Sequence, residues 1–263
     1  MIEYVSKINP VILAFFACLF TYGVTALGAS IVFFFKKVNK TLMDLMLGIA
    51  AGVMIAASFF SLLNPAISMA SNLKMIPWLM VSFGFISGGI LLFVSDKIFS
   101  RFESKFSNNS LKRSLMLISS ITIHNIPEGL AVGVAFGSIM YNLDGATLSS
   151  ALLLALGIGI QNFPEGTAVS VPLRREGYSM KKAFMFGQLS GMVEPIAGVL
   201  GALLVIKVRY MLPFLLSFAS GAMIYVVVTE LIPESQTNKN KSLIALFTLI
   251  GFSIMMILDV ALG

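Results

Sequence analysis

Two six-residue runs place groups that can bind a metal ion inside long apolar stretches of this sequence. Residues 124–129 read HNIPEG and residues 161–166 read QNFPEG, and His124 is the only histidine of the chain. In each run the first residue and the Glu are four positions apart, so a helix presents both on one face. An imidazole, carboxylates and amide oxygens suit a borderline divalent ion such as zinc, iron(II), manganese, cobalt or cadmium. The set is too poor in nitrogen and sulfur to select copper(I).

Each run also contains a proline and a glycine that change how a helix behaves. Pro127 lacks an N–H and frees the carbonyl of Ile123 from its helical hydrogen bond, and Pro164 has the same effect in the second run. The glycine that follows each Pro-Glu pair allows a neighbouring helix to approach closely. Irregular backbone at membrane depth is tolerated only where it is buried in protein or lines a cavity. We therefore expect two kinked helices that line a cavity or are buried in protein.

The composition predicts an all-α polytopic membrane protein. The chain is 57% hydrophobic and 11% charged, with a mean hydropathy of +0.94, whereas soluble domains carry about 25% charged residues. The apolar runs are too long for the strands of a membrane barrel. The single cysteine, Cys18, excludes an intramolecular disulfide and a cysteine zinc cluster. The basic residues lie between the apolar runs and on no single face, so we expect no nucleic-acid partner.

Eight apolar segments are long enough for a membrane span of about 20 residues. They cover approximately residues 10–35, 42–63, 76–94, 113–137, 148–172, 182–206, 212–233 and 242–262. Fourteen of the 18 Lys and Arg residues fall in one set of loops, which includes the polar loop 95–112. This bias predicts that these loops are cytoplasmic and that both termini lie outside. The sequence predicts one transmembrane domain over residues 1–263, in a plasma (inner) membrane.

The spans show an internal inverted symmetry. Residues 50–55 in span 2 read AAGVMI, and residues 219–224 in span 7 read ASGAMI. These two spans run in opposite directions, as do spans 4 and 5, which contain the two runs. Inverted repeats around a central helix pair are typical of transporters and predict a substrate site near the membrane midplane.

Three spans place an acid near their centres: Glu128 in span 4, Glu165 in span 5 and Glu194 in span 6. An acid at the centre of a membrane helix costs about 3 kcal/mol on insertion scales, so three at one depth require a cation or protons. His124 alone is consistent with a hydrogen-bonded helix contact, and Glu194 alone with a structural partner or a proton relay. The repeated run and the third acid together favour a functional site, used either for ion transport or for catalysis.

The two runs resemble the ZIP (Zrt-, Irt-like) family of divalent metal transporters. Its hallmark is His-Asn-x-Pro-Glu-Gly in the fourth helix and a related Pro-Glu-Gly run in the fifth. The eight spans, the outward termini and the basic loop after span 3 fit that family over essentially the whole chain. The glutamine that begins the second run, and the VPLR sequence at residues 171–174, resemble the GufA-like branch.

The resemblance implies a site for two metal ions in the transport path. Its ligands would be His124, Glu128, Gln161 and Glu165 for one ion and Asn125, Asn162, Glu165 and Glu194 for the other, with Glu128 shared. The thioether of Met54 matches a position that contributes to the site in some relatives. Asp259 is expected at an external entrance and Glu230 at an exit, although a solvated helix end explains both equally well.

The chain departs from the family pattern at two positions. Many relatives have histidine at the position of Gln161, and some have aspartate at that of Asn162. Neutral amides at both positions weaken the second metal position and bear on zinc selectivity.

The resemblance also implies a mechanism and an assembly. The chain is expected to be a transporter and not an enzyme, with the metal ion as its substrate and no cofactor. Spans 1, 4, 5 and 6 would slide against the others within the lipid bilayer, and two copies would form a homodimer. The alternatives are an intramembrane metalloenzyme, which would need a second histidine ligand, and a non-metal, proton-coupled carrier.

Overall fold

The computed structural model describes residues 8–34, 40–102, 109–141, 146–236 and 240–262. All of its elements are helices, and the described ranges contain no strand. The helices are α1 (Pro10–Ser30), α2 (Lys40–Ala57), α3 (Asn64–Asn72), α4 (Pro77–Phe102), α5 (Asn109–Met140), α6 (Leu148–Arg175), α7 (Met180–Gly191), α8 (Val193–Leu203), α9 (Val205–Val226), α10 (Ile232–Ser235) and α11 (Lys241–Leu262).

Several helices begin where the sequence provides a capping residue. The side chain of Asn9 accepts a hydrogen bond from the Val11 N–H at 2.9 Å, and Pro10 occupies the first turn of α1. Ser179 caps α7 in the same way, since its Oγ accepts from the Lys182 N–H at 3.3 Å. These contacts satisfy N–H groups that the first turn of a helix leaves without an intrahelical partner.

Among the residues that the structure describes, six helical segments are long and apolar enough to cross a membrane: 10–34, 41–72, 77–98, 180–203, 205–235 and 241–261. The prediction of a helical polytopic membrane protein is confirmed. α5 and α6, which contain the two polar runs, are not among the six. Their lengths of 32 and 28 residues correspond to about 40 Å or more, which exceeds the roughly 30 Å of a hydrocarbon core. The count of eight spans stays a prediction.

The helices pack as two bundles. In the first, which we call the site bundle, α1 packs along α6, and α5 packs along α8, with α7 between α1 and α6. In the second, the flanking bundle, α2 packs along α11 and α4 packs along α9. The bundles meet mainly where α5 contacts α9 and where α6 contacts α2. This division places the two runs of the sequence together in one bundle.

The inverted symmetry of the sequence has a counterpart in the flanking bundle. A π-helical segment, 58–63, joins α2 to α3 just before Pro65, and another, 227–231, joins α9 to α10 just before Pro233. A proline cannot donate to the carbonyl four residues earlier, and a π-type turn accommodates that loss. Each helix also uses a glycine against a neighbouring backbone: a Cβ at Gly52 would overlap the Thr248 carbonyl, and one at Gly221 the Phe85 carbonyl.

Candidate metal centre

Six polar side chains are completely buried where α5, α6 and α8 meet. They have no exposed surface and comprise Asn125, Glu128, Gln161, Asn162, Glu165 and Glu194. The structure therefore brings the two runs and the third acid into one region of the site bundle. Buried carboxylates are stable only with hydrogen-bond partners or with a compensating charge, so the partners of these groups determine what the region can bind.

The two runs contact each other through Gln161 and Glu128. The Gln161 side chain donates a hydrogen bond from Nε2 to Glu128 Oε1. Both residues belong to the first of the two ion positions that the family resemblance implies. The contact crosses from α6 to α5 and places the first residue of the second run beside the acid of the first run.

Glu194 is held by groups from two other helices. Asn162 on α6 donates from Nδ2 to Glu194 Oε1 at 2.8 Å and to Oε2 at 2.9 Å. Thr21 on α1 donates from Oγ1 to Glu194 Oε2. The same Asn162 Nδ2 also lies 3.2 Å from the Thr21 carbonyl oxygen. Glu194 thus lies in a polar cluster to which α1, α6 and α8 each contribute.

Asn125 is oriented by a helix end. The chain is interrupted at Met192 between α7 and α8, so carbonyls in the last turn of α7 are open to other donors. Asn125 Nδ2 donates to the Ser190 carbonyl at 3.0 Å. Glu194 lies in the first turn of α8, which begins at Val193. The interruption explains how one span supplies both a carbonyl for Asn125 and a carboxylate.

The amide side chains leave three buried oxygen atoms without a hydrogen-bond donor. These are Asn125 Oδ1, Gln161 Oε1 and Asn162 Oδ1. Each of the three amides uses its NH₂ group as a donor, to a carbonyl or a carboxylate, and so directs its oxygen away from that partner. A buried acceptor without a donor is costly, and a cation can satisfy it, because amide oxygens are established ligands of divalent ions.

Two glycines explain why the helices approach closely enough to form the region. An added Cβ at Gly129 on α5 would lie 2.6 Å from the Glu194 carbonyl oxygen on α8, and one at Gly166 on α6 would overlap the Thr25 carbonyl on α1. Any larger residue would separate these backbones. The glycines of the two Pro-Glu-Gly sequences therefore perform equivalent tasks on opposite sides of the α5–α6 pair.

The remaining predicted site residues are more scattered. The backbone of His124 belongs to α5, while its side chain lies outside the described part of the chain. Met54, on α2 of the flanking bundle, is fully buried in a hydrophobic core to which both bundles contribute. Glu230 lies in the π-helical segment 227–231. Among the side chains that the structure describes, no three from His, Cys, Asp and Glu form a group that could hold a metal ion.

Asp259 lies beside a cavity of about 520 Å³ between the two bundles. Ser61 Oγ donates to both of its carboxylate oxygens, at 3.1 and 3.2 Å. The cavity extends along α6 from Ser150 to Ile160, which directly precedes Gln161. The cavity is largely apolar apart from a few polar groups such as Ser61, Ser150 and Asp259, and it extends from the Asp259 end of α11 to the residue before the second run.

At the opposite end of α6, ion pairs join the bundles. Arg175 Nη1 lies 2.6 Å from Asp44 Oδ1 on α2, and Arg175 Nε lies 3.3 Å from Glu234 Oε1 on α10. The Asp44 side chain is 1% exposed. Sequence reasoning selected neither these residues nor Thr21 and Ser190, because each is unremarkable by type and its partner is distant in the chain.

The chain is similar to zinc transporters from animals and bacteria. A family model described as ZIP Zinc transporter matches residues 105–259. Zinc transporter ZIP11 of Bos taurus is 38% identical, with 97% of this chain and 98% of that protein covered. Zinc transporter ZIPB of Bordetella bronchiseptica is 32% identical over 92% of this chain and 79% of its own length. Zinc transporter GufA of Myxococcus xanthus is 39% identical over 57% and 56%. The resemblance that we drew from the two runs is confirmed.

Proposed function

Because this chain belongs to the ZIP zinc transporter family, we propose that it carries divalent transition-metal ions, zinc foremost, across the membrane into the cytoplasm. The observation that carries the proposal is the set of three buried amide oxygens without donors, arranged among Glu128, Glu165 and Glu194. A site with oxygens available and carboxylates nearby attracts a cation. Iron, manganese, cobalt and cadmium fit the same ligand types.

Two ion positions follow from the ligand groups. The first is formed by His124, Glu128, Gln161 and Glu165, and the contact from Gln161 to Glu128 supports it. The second is formed by Asn125, Asn162, Glu165 and Glu194, supported by the hydrogen bonds between Asn162 and Glu194. A metal ion that arrives displaces protons from Glu128, Glu165 or His124, because protons and the ion compete for the same lone pairs.

The path runs along α6. Asp259 and the cavity beside it form the external entrance, and Glu230 lies toward the exit. The ion pairs of Arg175 close the end of α6 that the distribution of basic residues assigns to the cytoplasm. The two-bundle packing supports a slide of the site bundle against the flanking bundle, with Met54 on the flanking side.

Transport, and not catalysis, is the activity that we infer. The named relatives are transporters, and a catalytic zinc site usually has three protein ligands and an open water position. We place the chain in the plasma membrane with both termini outside, as a homodimer.

Uptake by the purified protein in proteoliposomes tests the proposal. Vesicles that contain a zinc-sensitive dye are exposed to zinc, iron(II), manganese, cobalt and cadmium, with and without a pH gradient. The wild-type protein should admit zinc, and Glu165→Ala should admit none, since Glu165 belongs to both ion positions. Glu176→Ala, which removes an exposed acid at the end of the same helix, should transport normally. Normal uptake by Glu165→Ala would contradict the assigned site.

A further inference from the structure

Thr21 is a residue of α1 that reaches the buried polar cluster. It is completely buried in a helix that carries no charged residue. Both its hydroxyl and its carbonyl have partners from other helices. The hydroxyl donates to Glu194 Oε2, and the carbonyl accepts from Asn162 Nδ2 at 3.2 Å. One residue therefore contacts both an acid and an amide of the second ion position.

The carbonyl contact determines how the Asn162 amide is turned. An amide that donates its NH₂ to the Thr21 carbonyl and to Glu194 must direct its oxygen elsewhere. That oxygen, Asn162 Oδ1, is the atom that lacks a donor. The α1 backbone thus selects the orientation in which Asn162 presents an acceptor to an ion.

The Thr21 hydroxyl has two acceptors within hydrogen-bond distance and can donate to either one. Thr21 Oγ1 lies 3.0 Å from the Cys18 carbonyl, one turn earlier on α1, as well as beside Glu194. A hydroxyl has one proton, so it can donate to the carboxylate or to the Cys18 carbonyl. When Glu194 turns toward an ion, the hydroxyl keeps a partner, and no buried donor is left unsatisfied.

We propose that Thr21 is a positioning residue for the second ion: its hydroxyl holds the Glu194 carboxylate and its carbonyl orients the Asn162 amide, so that both ligands are already directed when an ion arrives. The inference rests on the proposed function, because it assumes that Glu194 and Asn162 bind the transported metal. Groups that orient metal ligands change metal affinity by about 10- to 100-fold when they are removed, and we expect an effect of that size here.

Calorimetric zinc titration of the full-length protein in detergent tests this role. Thr21→Val retains the shape of the side chain and removes the hydroxyl, and it should weaken zinc binding about 10- to 100-fold. Thr21→Ser should restore affinity close to that of the wild type. Thr21→Ala serves as a second variant without a hydroxyl, should the valine variant not fold. In a Glu194→Gln background the effect of Thr21→Val should largely disappear, since the hydroxyl would have no carboxylate to hold.

The matched control is Thr167→Val. Thr167 is also a buried threonine between α1 and α6, and its Oγ1 donates to the Gly28 carbonyl at 3.1 Å instead of to a carboxylate. An equal loss of affinity in Thr167→Val, or unchanged zinc binding in both Thr21→Val and Thr21→Ala, would overturn the role of Thr21 and leave the proposed transport intact. A wild-type protein that binds no zinc would instead overturn the proposed function, and the Thr21 role with it.

Discussion

Asn162 donates from Nδ2 to both carboxylate oxygens of Glu194, at 2.8 and 2.9 Å. The pair connects α6 to α8 and gives the buried acid a donor when no ion is present. A neutral amide at this position therefore stabilises the buried carboxylate, and it adds no negative charge of its own that could attract a cation.

Asn162→Asp should lower the stability of the protein in the absence of metal and raise its affinity for zinc. The variant places two carboxylates side by side in a buried site, which is unfavourable without a cation. We expect a lower melting temperature in the absence of metal and zinc binding that is about tenfold tighter, since ligand charge sets cation affinity. Thermal unfolding and zinc titration measure the two effects. Asn72→Asp adds the same charge to an exposed residue and should change neither.

Gln161→His should shift selectivity toward zinc. An imidazole nitrogen binds zinc well, whereas manganese prefers oxygen ligands. We expect the ratio of zinc to manganese uptake in proteoliposomes to rise by about tenfold. The new imidazole N–H can also donate to Glu128 in place of the Gln161 amide. An unchanged ratio would argue against Gln161 as a ligand.

Gly166→Ala should destabilise the site bundle. The added Cβ would overlap the Thr25 carbonyl, and a helix backbone yields less easily than a side chain. We expect a loss of about 1–3 kcal/mol, measured as a lower melting temperature in detergent. Gly157→Ala on the same helix meets nothing within 4 Å and should be neutral or slightly stabilising, because alanine favours a helix.

Arg175→Gln should destabilise the fold and alter uptake together. The change removes the cation that faces the buried Asp44 carboxylate at 2.6 Å, and loss of one partner from a buried pair costs about 3–5 kcal/mol. Adding Asp44→Asn should recover much of the stability. Arg174→Gln provides the control, because Arg174 donates to the Tyr178 carbonyl on its own loop. Equal melting temperatures for the two arginine variants would contradict the bridging role.

The sequence was sufficient to predict the class of fold. It also selected the six polar residues that are buried together in the site bundle, whose role as metal ligands stays a prediction. Two features made this possible: the i, i+4 spacing in each run, and the position of Glu194 at the centre of its own apolar span. Both are local, and both follow from helix geometry and the cost of burying charge. The direction of Asn162 and Gln161 was not predictable in this way, since it depends on partners from other helices.

The contacts of Thr21, Ser190 and Arg175 illustrate the same limit. A threonine in an apolar helix usually hydrogen-bonds to its own backbone, and Thr21 retains that option through Cys18. The role of the Ser190 carbonyl depends on the interruption at Met192. Gly191 and Pro195 flank this residue and favour a break there, but they do not indicate which donor the Ser190 carbonyl meets. Arg175 is the last residue of α6, next to a basic loop. At such a position a charged side chain is ordinarily expected to be solvated.

The direct backbone contacts at Gly129 and Gly166 have a mechanical consequence. Where two backbones are in direct contact, no side chain lies between them that could adjust. We therefore expect α1, α5, α6 and α8 to move together as one rigid unit. The distances among ligand atoms on these helices would then stay fixed while the surroundings change. Discrimination between metal ions should accordingly be equal on both sides of the membrane, and only the route to the site would differ.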